Sequence, residues 1–533
     1  MELLGTAGAY MNFLLNVVLF LPAAGAFALL VIPRHRPGAV RMAALVFSLL
    51  AFALSIPLAL FFSPSTNGMQ FATDMPWIAS PSIRYHIGID GLSLFLVLLT
   101  TFLTVLCVLI SWRSVNEHVK EFHFFLLFLA TGAMGVFVSL DLFLFYVFWE
   151  AALVPMYFLV GVWGHENRIY AAQKFFLYTV AGSLLMLVGI LWLYQRFGTF
   201  DYQYIMAALT SGAVRFSNTE ELWLFLAFFI AFAIKVPMFP LHTWLPDAHV
   251  EAPTAGSVML AGVMLKMGTY GLIRFCLPLF PNASHSLAPA INALAIIGIL
   301  YGSLVALVQP DMKKLIAYSS IAHLGFVVLG IFSFNQAALQ GAAYQMVNHG
   351  ISTGALFLLT GMLYDRVHTR RISDLGGLAT PLPLLTAMFL VTTLSSIGLP
   401  LLNNFVGEFL ILVGVFDQHV ASAILASVGV FLSAAYMLWM VQRVFYGEPK
   451  PAHSGLLDLD RREKLILLPT VALMLFMGTA PSFFLQRMDL PAANLIDRLG
   501  QVQLEVRKDS SSKESPAPNQ PRYQIAKGEH DRP

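Results

Sequence analysis

Apolar residues run almost unbroken along this chain, in stretches of about twenty separated by short polar turns. A helix rises about 1.5 Å per residue, so each stretch suffices to cross a hydrocarbon core roughly 30 Å thick. The stretches fall at 12–32, 41–62, 91–112, 122–140, 142–163, 174–195, 222–245, 253–276, 287–309, 313–333, 337–364, 382–414, 419–445 and 464–485. They predict an all-α polytopic membrane protein with about fourteen transmembrane helices. No positive charge precedes the first stretch, and Arg34, Arg36 and Arg41 follow it, which is unlike a signal peptide.

Charge between the stretches orients them. Odd-numbered loops carry Arg34, Arg36, Arg41, Arg113, Lys120, Arg168, Lys174, Lys313, Lys314, Arg366, Arg370, Arg371, Arg443, Lys450, Arg461, Arg462 and Lys464. Even-numbered loops carry Arg84, Arg196, Arg215 and Arg274, the last expected to snorkel to the interface. The positive-inside rule then puts the odd loops in the cytoplasm and both termini on the periplasmic side. The polar tail at 487–533 holds further Lys and Arg, but long tails are weak topology determinants. Rich in Ser, Pro and charge from about 505, that tail is expected to be disordered.

A few charges lie where the pattern should exclude them. Glu150, Lys235, Lys266 and Glu408 sit deep inside stretches, joined by His323 and His349, with Asp141 at the edge of the fifth. A Lys or Asp at the bilayer centre costs about 3 kcal/mol or more, so such residues face the protein interior and mark ion paths. One Lys–Glu pair could simply hold two helices together; six titratable groups on six helices point to a relay. All six can bind and release a proton, whereas Arg, the better choice for a static buried pair, is absent from the set. Burial and a neighbouring opposite charge push such a group's proton affinity in opposite directions, so altered pairing moves the proton. No span gathers carboxylates and hydroxyls as a sodium site would, which favours protons as the cargo.

Two of these groups adjoin helix breakers. Lys235 precedes Pro237 and Pro240 in AFAIKVPMFPLHTWLPDAH, and Glu408 follows Gly398, Pro400, Asn403 and Asn404 in SSIGLPLLNNFVGEFL. Proline removes a backbone donor, and non-helical backbone at membrane depth persists only when buried or lining a wet cavity. Interrupted seventh and twelfth helices are therefore predicted, a transporter device. Pro155 could likewise free a carbonyl near Glu150, although a lone membrane proline more often only kinks its helix. AAQKFFLYTVAGSLLML (171–187) aligns with AAYQMVNHGISTGALFL (342–358), pairing Tyr178 with His349. This suggests two inverted five-helix repeats at 122–276 and 277–446, preceded by helices 1–3 within 1–121 and followed by a final helix within 447–486.

Composition removes other classes. The 533 residues are 58% hydrophobic and 11% charged, against about a quarter charged in soluble domains. A net charge of +2 is too small to suggest nucleic acid as a partner, and none is expected. Cys107 and Cys276, both in apolar runs, can hold neither an iron–sulfur cluster nor a disulfide framework. With no GxGxxG, P-loop or CxxC motif, no nucleotide or redox cofactor is assigned to this chain.

The segment KVPMFPLHTWLPDAHVEAPTAGSVMLAGVMLKMGTYGLIRF (235–275) resembles the signature of the antiporter-like family. That family comprises three membrane subunits of respiratory complex I, membrane subunits of group 4 hydrogenases, and subunits of Mrp-type Na+/H+ antiporters. The resemblance covers about residues 90–450. It implies that Glu150 is the fifth-helix glutamate, Lys235 its paired lysine, Lys266 the connecting lysine, His323 and His349 the groups leading onward, and Glu408 the twelfth-helix terminal group. Glutamate rather than lysine at that last position is similar to the M-type branch of complex I subunits. The resemblance further implies an inner-membrane location, L- and N-type subunits as partners, and NADH, FMN, iron–sulfur clusters and quinone handled by other subunits.

Three function classes stay open at this level: a proton-translocating subunit of complex I, an antiporter or hydrogenase membrane subunit with the same core, and a scaffold with structural charges. His242, Asp247, His249 and Glu251 have the composition of a metal site, but loop packing and helix capping account for them, and no metal is assigned. Tyr178 and Lys174 could touch a cytoplasmic entrance, against the ordinary reading of Lys174 as a solvated helix end.

Overall fold

The computed structural model describes residues 2–448, 450–453 and 455–514. The chain runs through α1 (Glu2–Val31), α2 (Pro37–Phe61), a hairpin of β1 (Gln70–Ile78) and β2 (Ile83–Ile89), α3 (Leu94–Ser114), α4 (Val119–Val138), α5 (Leu142–Trp163) and α6 (Arg168–Phe197). It continues with α7 (Tyr202–Thr210), α8 (Asn218–Lys235), α9 (Trp244–Glu251), α10 (Thr254–Leu279), α11 (Pro281–Leu307), α12 (Met312–Ile331) and α13 (Gln336–Val367). The last elements are α14 (Pro383–Ser396), α15 (Asn403–Gln418), α16 (Val420–Phe445), α17 (Arg461–Thr479) and α18 (Ser482–Glu514).

Among the described residues eleven helices are long and apolar enough to span a bilayer, or twelve if α17 and the first part of α18, bent by 64°, form one span. This is fewer than the fourteen expected. The apolar runs at 222–245 and 382–414 are each divided between two shorter helices, α8 with α9 and α14 with α15. In the first, α8 ends at Lys235 and the last helical bond is the Val236 amide to the Phe232 carbonyl, because Pro237 and Pro240 cannot donate. Trp244 Nε1 then donates to the Ile234 carbonyl at 2.9 Å, satisfying a group the break exposed. In the second, Gly398 takes φ +77°, a backbone shape that glycine adopts without steric cost.

Three features depart from the sequence reading. The β1–β2 hairpin, antiparallel from Gln70↔Ile89 to Ile78↔Ile83, lies in what reads as a loop, because a search for twenty-residue apolar runs passes over short strands. The final helix ends at Thr479, short of 485. Beyond it, the polar segment expected to be an irregular tail from 487 is helical as far as Glu514, and positions 515–533 lie outside the described residues. Met488, Ala492 and Leu499 are buried at helical spacing, so α18 is amphipathic rather than merely polar. It lies against α13, α10 and α11, with Asp489 accepting from Gln336 and Gln340 and Asn494 donating to Asn67.

At the centre, the window of α10 and that of α13 are wholly enclosed by other helices. A Cβ on Gly350 would stand 2.9 Å from the Gly262 carbonyl oxygen, so the two backbones touch where only hydrogen fits. That crossing brings Lys266, one turn past Gly262, beside His349. Within α10, two π-helical segments, Leu260–Met264 and Leu272–Cys276, bracket Lys266. Such segments free backbone carbonyls, and Lys266 Nζ donates to one of them, that of Ala261.

Candidate functional site

Four of the six deep titratable residues form one file. Lys266 Nζ donates to His349 Nδ1 at 2.6 Å. The His349 and His323 rings lie 5.9 Å apart, centroid to centroid. His323 Nδ1 meets Glu408 Oε1 at 2.7 Å. All four residues are buried, and Nε2 of each histidine has no protein partner. The file thus runs across α10, α13, α12 and α15.

The interrupted helix supplies the setting for Glu408. Helical side chains lean toward the N-terminus, and Glu408 Oε2 lies 3.4 Å from where a Cβ on Gly398 would stand. The carboxylate therefore sits at the break itself, nearer than its place in the sequence suggests, and close to the positive end of α15. Gln345 Nε2 donates to Glu408 Oε1 at 3.1 Å, and Asn348 Nδ2 donates to the Asn403 carbonyl at 2.9 Å. Ser395 donates to Asn403 Oδ1 and Asn404 to Ser352 Oγ, so polar side chains of α14 and α13 hold the start of α15 at the break.

Lys235 stands apart from this file. It is fully buried at the end of α8, with Nζ 5.3 Å from the Trp149 ring and 5.4 Å from the Phe175 ring, and no hydrogen-bond acceptor. Glu150, next to Trp149, exerts an electrostatic pull on Lys235, but the two form no ion pair within 4.0 Å. Glu150 Oε1 is itself buried without a partner, near Tyr146, which also faces Ser183. A cation is well placed at a helix C-terminus and over aromatic faces, and neither contact binds a particular proton. No direct hydrogen bond connects Lys235 to Lys266.

Several residues around the file take places the sequence did not foretell. His249, read as part of a polar loop, is fully buried, stacks on Phe357 at 4.6 Å, and lies within electrostatic reach of Lys266, Lys313 and His349. Both its ring nitrogens lack partners. Lys313, counted as a loop charge, is buried and donates to the Ala252 carbonyl at 2.5 Å, just past α9. Its place as the first residue of the apolar run at 313–333 is the only signal that could have marked it. Asp247 pairs with Lys174 at 2.7 Å, Glu251 accepts from the Asn167 amide, and His242 stacks near Phe239. The members of the set His242, Asp247, His249 and Glu251 thus turn to separate partners. Tyr178 and Thr243 hydroxyls meet at 3.0 Å, bringing Tyr178 to the loop after Lys235.

Arg274 is a correction. Rather than snorkelling, it is buried and pairs with Asp90 at 2.6 Å while its Nε donates to the Tyr270 hydroxyl. Asp90 lies just before α3, far from Arg274 in sequence, so no local pattern announces the pair. Among the described residues, one group of three could hold a metal, Asp74, His86 and Asp201, but Arg84 already engages both oxygens of Asp74.

At the opposite face, His165 in the α5–α6 turn donates its amide to the Glu251 carbonyl. Burial, with Lys313 and Arg370 nearby, lowers its pKa to about 4 from an ordinary 6.5. The neutral ring is favoured by the fold, so its contribution is complete above pH 6.5 and is lost as pH falls toward 4. A His165→Gln variant should lose less thermal stability than the unaltered chain across that window; equal losses would remove His165 as a cause.

The model of the family described as NADH:quinone oxidoreductase/Mrp antiporter, transmembrane region, matches residues 139–433, more than half the chain. The NADH-quinone oxidoreductase subunit M of Rhodobacter capsulatus is 46% identical over 505 residues, covering 91% of this chain and 97% of that protein. The NADH-ubiquinone oxidoreductase chain 4 of Marchantia polymorpha is 44% identical, covering 90% and 97%. A chain in the structure of respiratory complex I from Thermus thermophilus with bound NADH superposes with TM-score 0.84 at 33% identity, covering 91% of this chain and 99% of that one.

Proposed function

The chain belongs to the NADH:quinone oxidoreductase/Mrp antiporter family, in its subunit M branch, and from that membership we propose how its own residues carry protons. It is an antiporter-like, proton-translocating membrane-arm subunit of NADH-quinone oxidoreductase and works beside other subunits of that complex. Its part in the reaction is non-redox. NADH, FMN, iron–sulfur clusters and quinone belong to the neighbouring subunits, and their chemistry supplies the energy.

Lys235 is the switching group of the first half. Held by aromatic faces and the field of Glu150 alone, it changes charge when Glu150 or its surroundings change. Glu150 reports the state of an adjacent L- or N-type subunit to Lys235. Lys266, His349, His323 and Glu408 carry the proton through the second half. His349 accepts from Lys266, His323 passes charge to Glu408, and small ring motions or water bridge the two histidines. The observation that carries this reading is the file of titratable groups from Lys266 to Glu408, two hydrogen-bonded pairs whose facing histidine rings lie 5.9 Å apart.

The architecture is fourteen crossings in a bacterial cytoplasmic membrane, both termini periplasmic, with inverted repeats at 122–276 and 277–446. A paired device supports the repeats. Asp141 caps α5 and bridges to Asp201 after α6, while Asp311 caps α12 and bridges to Arg371 after α13, across equal lengths of chain. The first bridge lies among even-numbered loops and the second among odd ones, as inversion requires.

Glu408→Gln keeps an acceptor for His323 and Gln345 but cannot take a proton. In the assembled complex, reconstituted in vesicles, NADH-driven proton translocation should fall on the order of tenfold, less than outright loss of a proton-transfer group. An unchanged ratio of protons to electrons would overturn the role of Glu408.

A further inference from the structure

We propose that a groove bounded by α2, α3, α13, α17 and α18 holds an acyl chain of an anionic phospholipid, whose phosphate is taken by Arg487. The groove has a volume of about 490 Å³, within the range of built ligand pockets, and every side chain lining it is apolar. It runs inward along Phe95 and Phe102 of α3 and Ala472 of α17, and ends at Val347 and Ile351 of α13. Those two residues lie two positions either side of His349, on the opposite face of the helix. A hydrocarbon chain there covers the back of the helix that carries His349.

The mouth supplies the charge. Arg487 stacks on Phe483, a lining residue, at 4.0 Å and donates to the Phe483 carbonyl at 2.5 Å. Its Nε is buried without a hydrogen-bond partner. No carboxylate among the described residues exerts a charge effect on it or pairs with it, unlike Arg84, Arg274 or Arg366. Its carbonyl packs against Gly91, just before α3, and its guanidinium reaches the groove through the Phe483 ring. A half-buried cation without an anion, beside an apolar channel open to the bilayer, matches a lipid that carries both a negative phosphate and a hydrocarbon tail.

The test uses the assembled complex in phosphatidylcholine vesicles containing a trace of phosphatidylglycerol with a diazirine midway along one acyl chain, or phosphatidylcholine with the same group. Peptides of α2, α3 and α17 should take up the phosphatidylglycerol label about fivefold over the phosphatidylcholine label. Arg487→Gln should bring that ratio to about one, while Arg487→Lys retains much of it. Ala472→Trp, which fills the groove from an exposed position, should lower labelling by both lipids and leave labelling of α6 at Leu184 and Val188 unchanged. Equal labelling by the two lipids means ordinary bilayer contact and overturns the proposal. Absence of label in the intact complex means that another subunit covers the groove and overturns it equally.

Discussion

Replacing Lys235 with Met is expected to stop proton translocation by the assembled complex while the subunit still folds and assembles. Both halves of that expectation come from the same geometry. Lys235 Nζ donates to nothing, so its removal orphans no buried acceptor, and Met fills nearly the same volume between Trp149 and Phe175. Taking the buried ammonium out of the interior removes its desolvation cost but also the field it shares with Glu150, and with no hydrogen bond lost thermal stability should change little. Translocation, by contrast, loses the titratable group of the first half, and a positioned proton-transfer group typically contributes about 10²-fold or more. The measurement is NADH-driven acidification in vesicles, alongside thermal unfolding and subunit content. Normal translocation in a fully assembled Lys235→Met complex would show that the proton does not pass through Lys235.

Asp90→Ala should do the reverse, harming the fold before the function. Asp90 Oδ2 is the partner of Arg274 at 2.6 Å, and Oδ1 accepts from the amides of Leu92 and Ser93 at the start of α3. Without it, a guanidinium in the wholly enclosed α10 keeps only the Tyr270 hydroxyl. Removing one member of a buried ion pair costs about 3–5 kcal/mol, because the other charge stays buried without compensation. That is a large part of a typical net stability of about 5–15 kcal/mol. The variant should accumulate poorly and unfold at lower temperature. Asp90→Leu combined with Arg274→Met should recover most of the loss, since apolar pairs replace buried ion pairs at little cost. A single Asp90 variant as stable as the parent would mean that the Arg274 charge is satisfied by another route.

The contrast between these two positions shows how far the sequence could be read. Lys235 and Arg274 are both cations inside apolar runs, and the chain alone separates them by residue type, by the nearness of Arg274 to the end of its run, and by the prolines that follow Lys235. The helix breaks were legible because Pro237, Pro240 and Gly398 act on backbone within a few residues. The six titratable groups were legible because charge at bilayer depth is costly wherever its partner lies. The β1–β2 hairpin and α18 were not, since each is short or polar in composition and draws its order from what it packs upon. His249 and Lys313 were assigned to loops for the same reason: their burial comes from Phe357 and from the end of α9.

By itself, the sequence determined that this chain crosses a membrane many times, which residues are ionisable at depth, and where two helices must break. Those properties follow from local backbone chemistry and from the cost of placing charge in hydrocarbon. Only the tertiary structure decided that Lys266, His349, His323 and Glu408 are connected while Lys235 stands free, and that Arg274 answers to Asp90. Such contacts join residues far apart in the chain. They depend on which helix faces meet, and at Gly262 and Gly350 that meeting is set by two backbones approaching more closely than any side chain would allow.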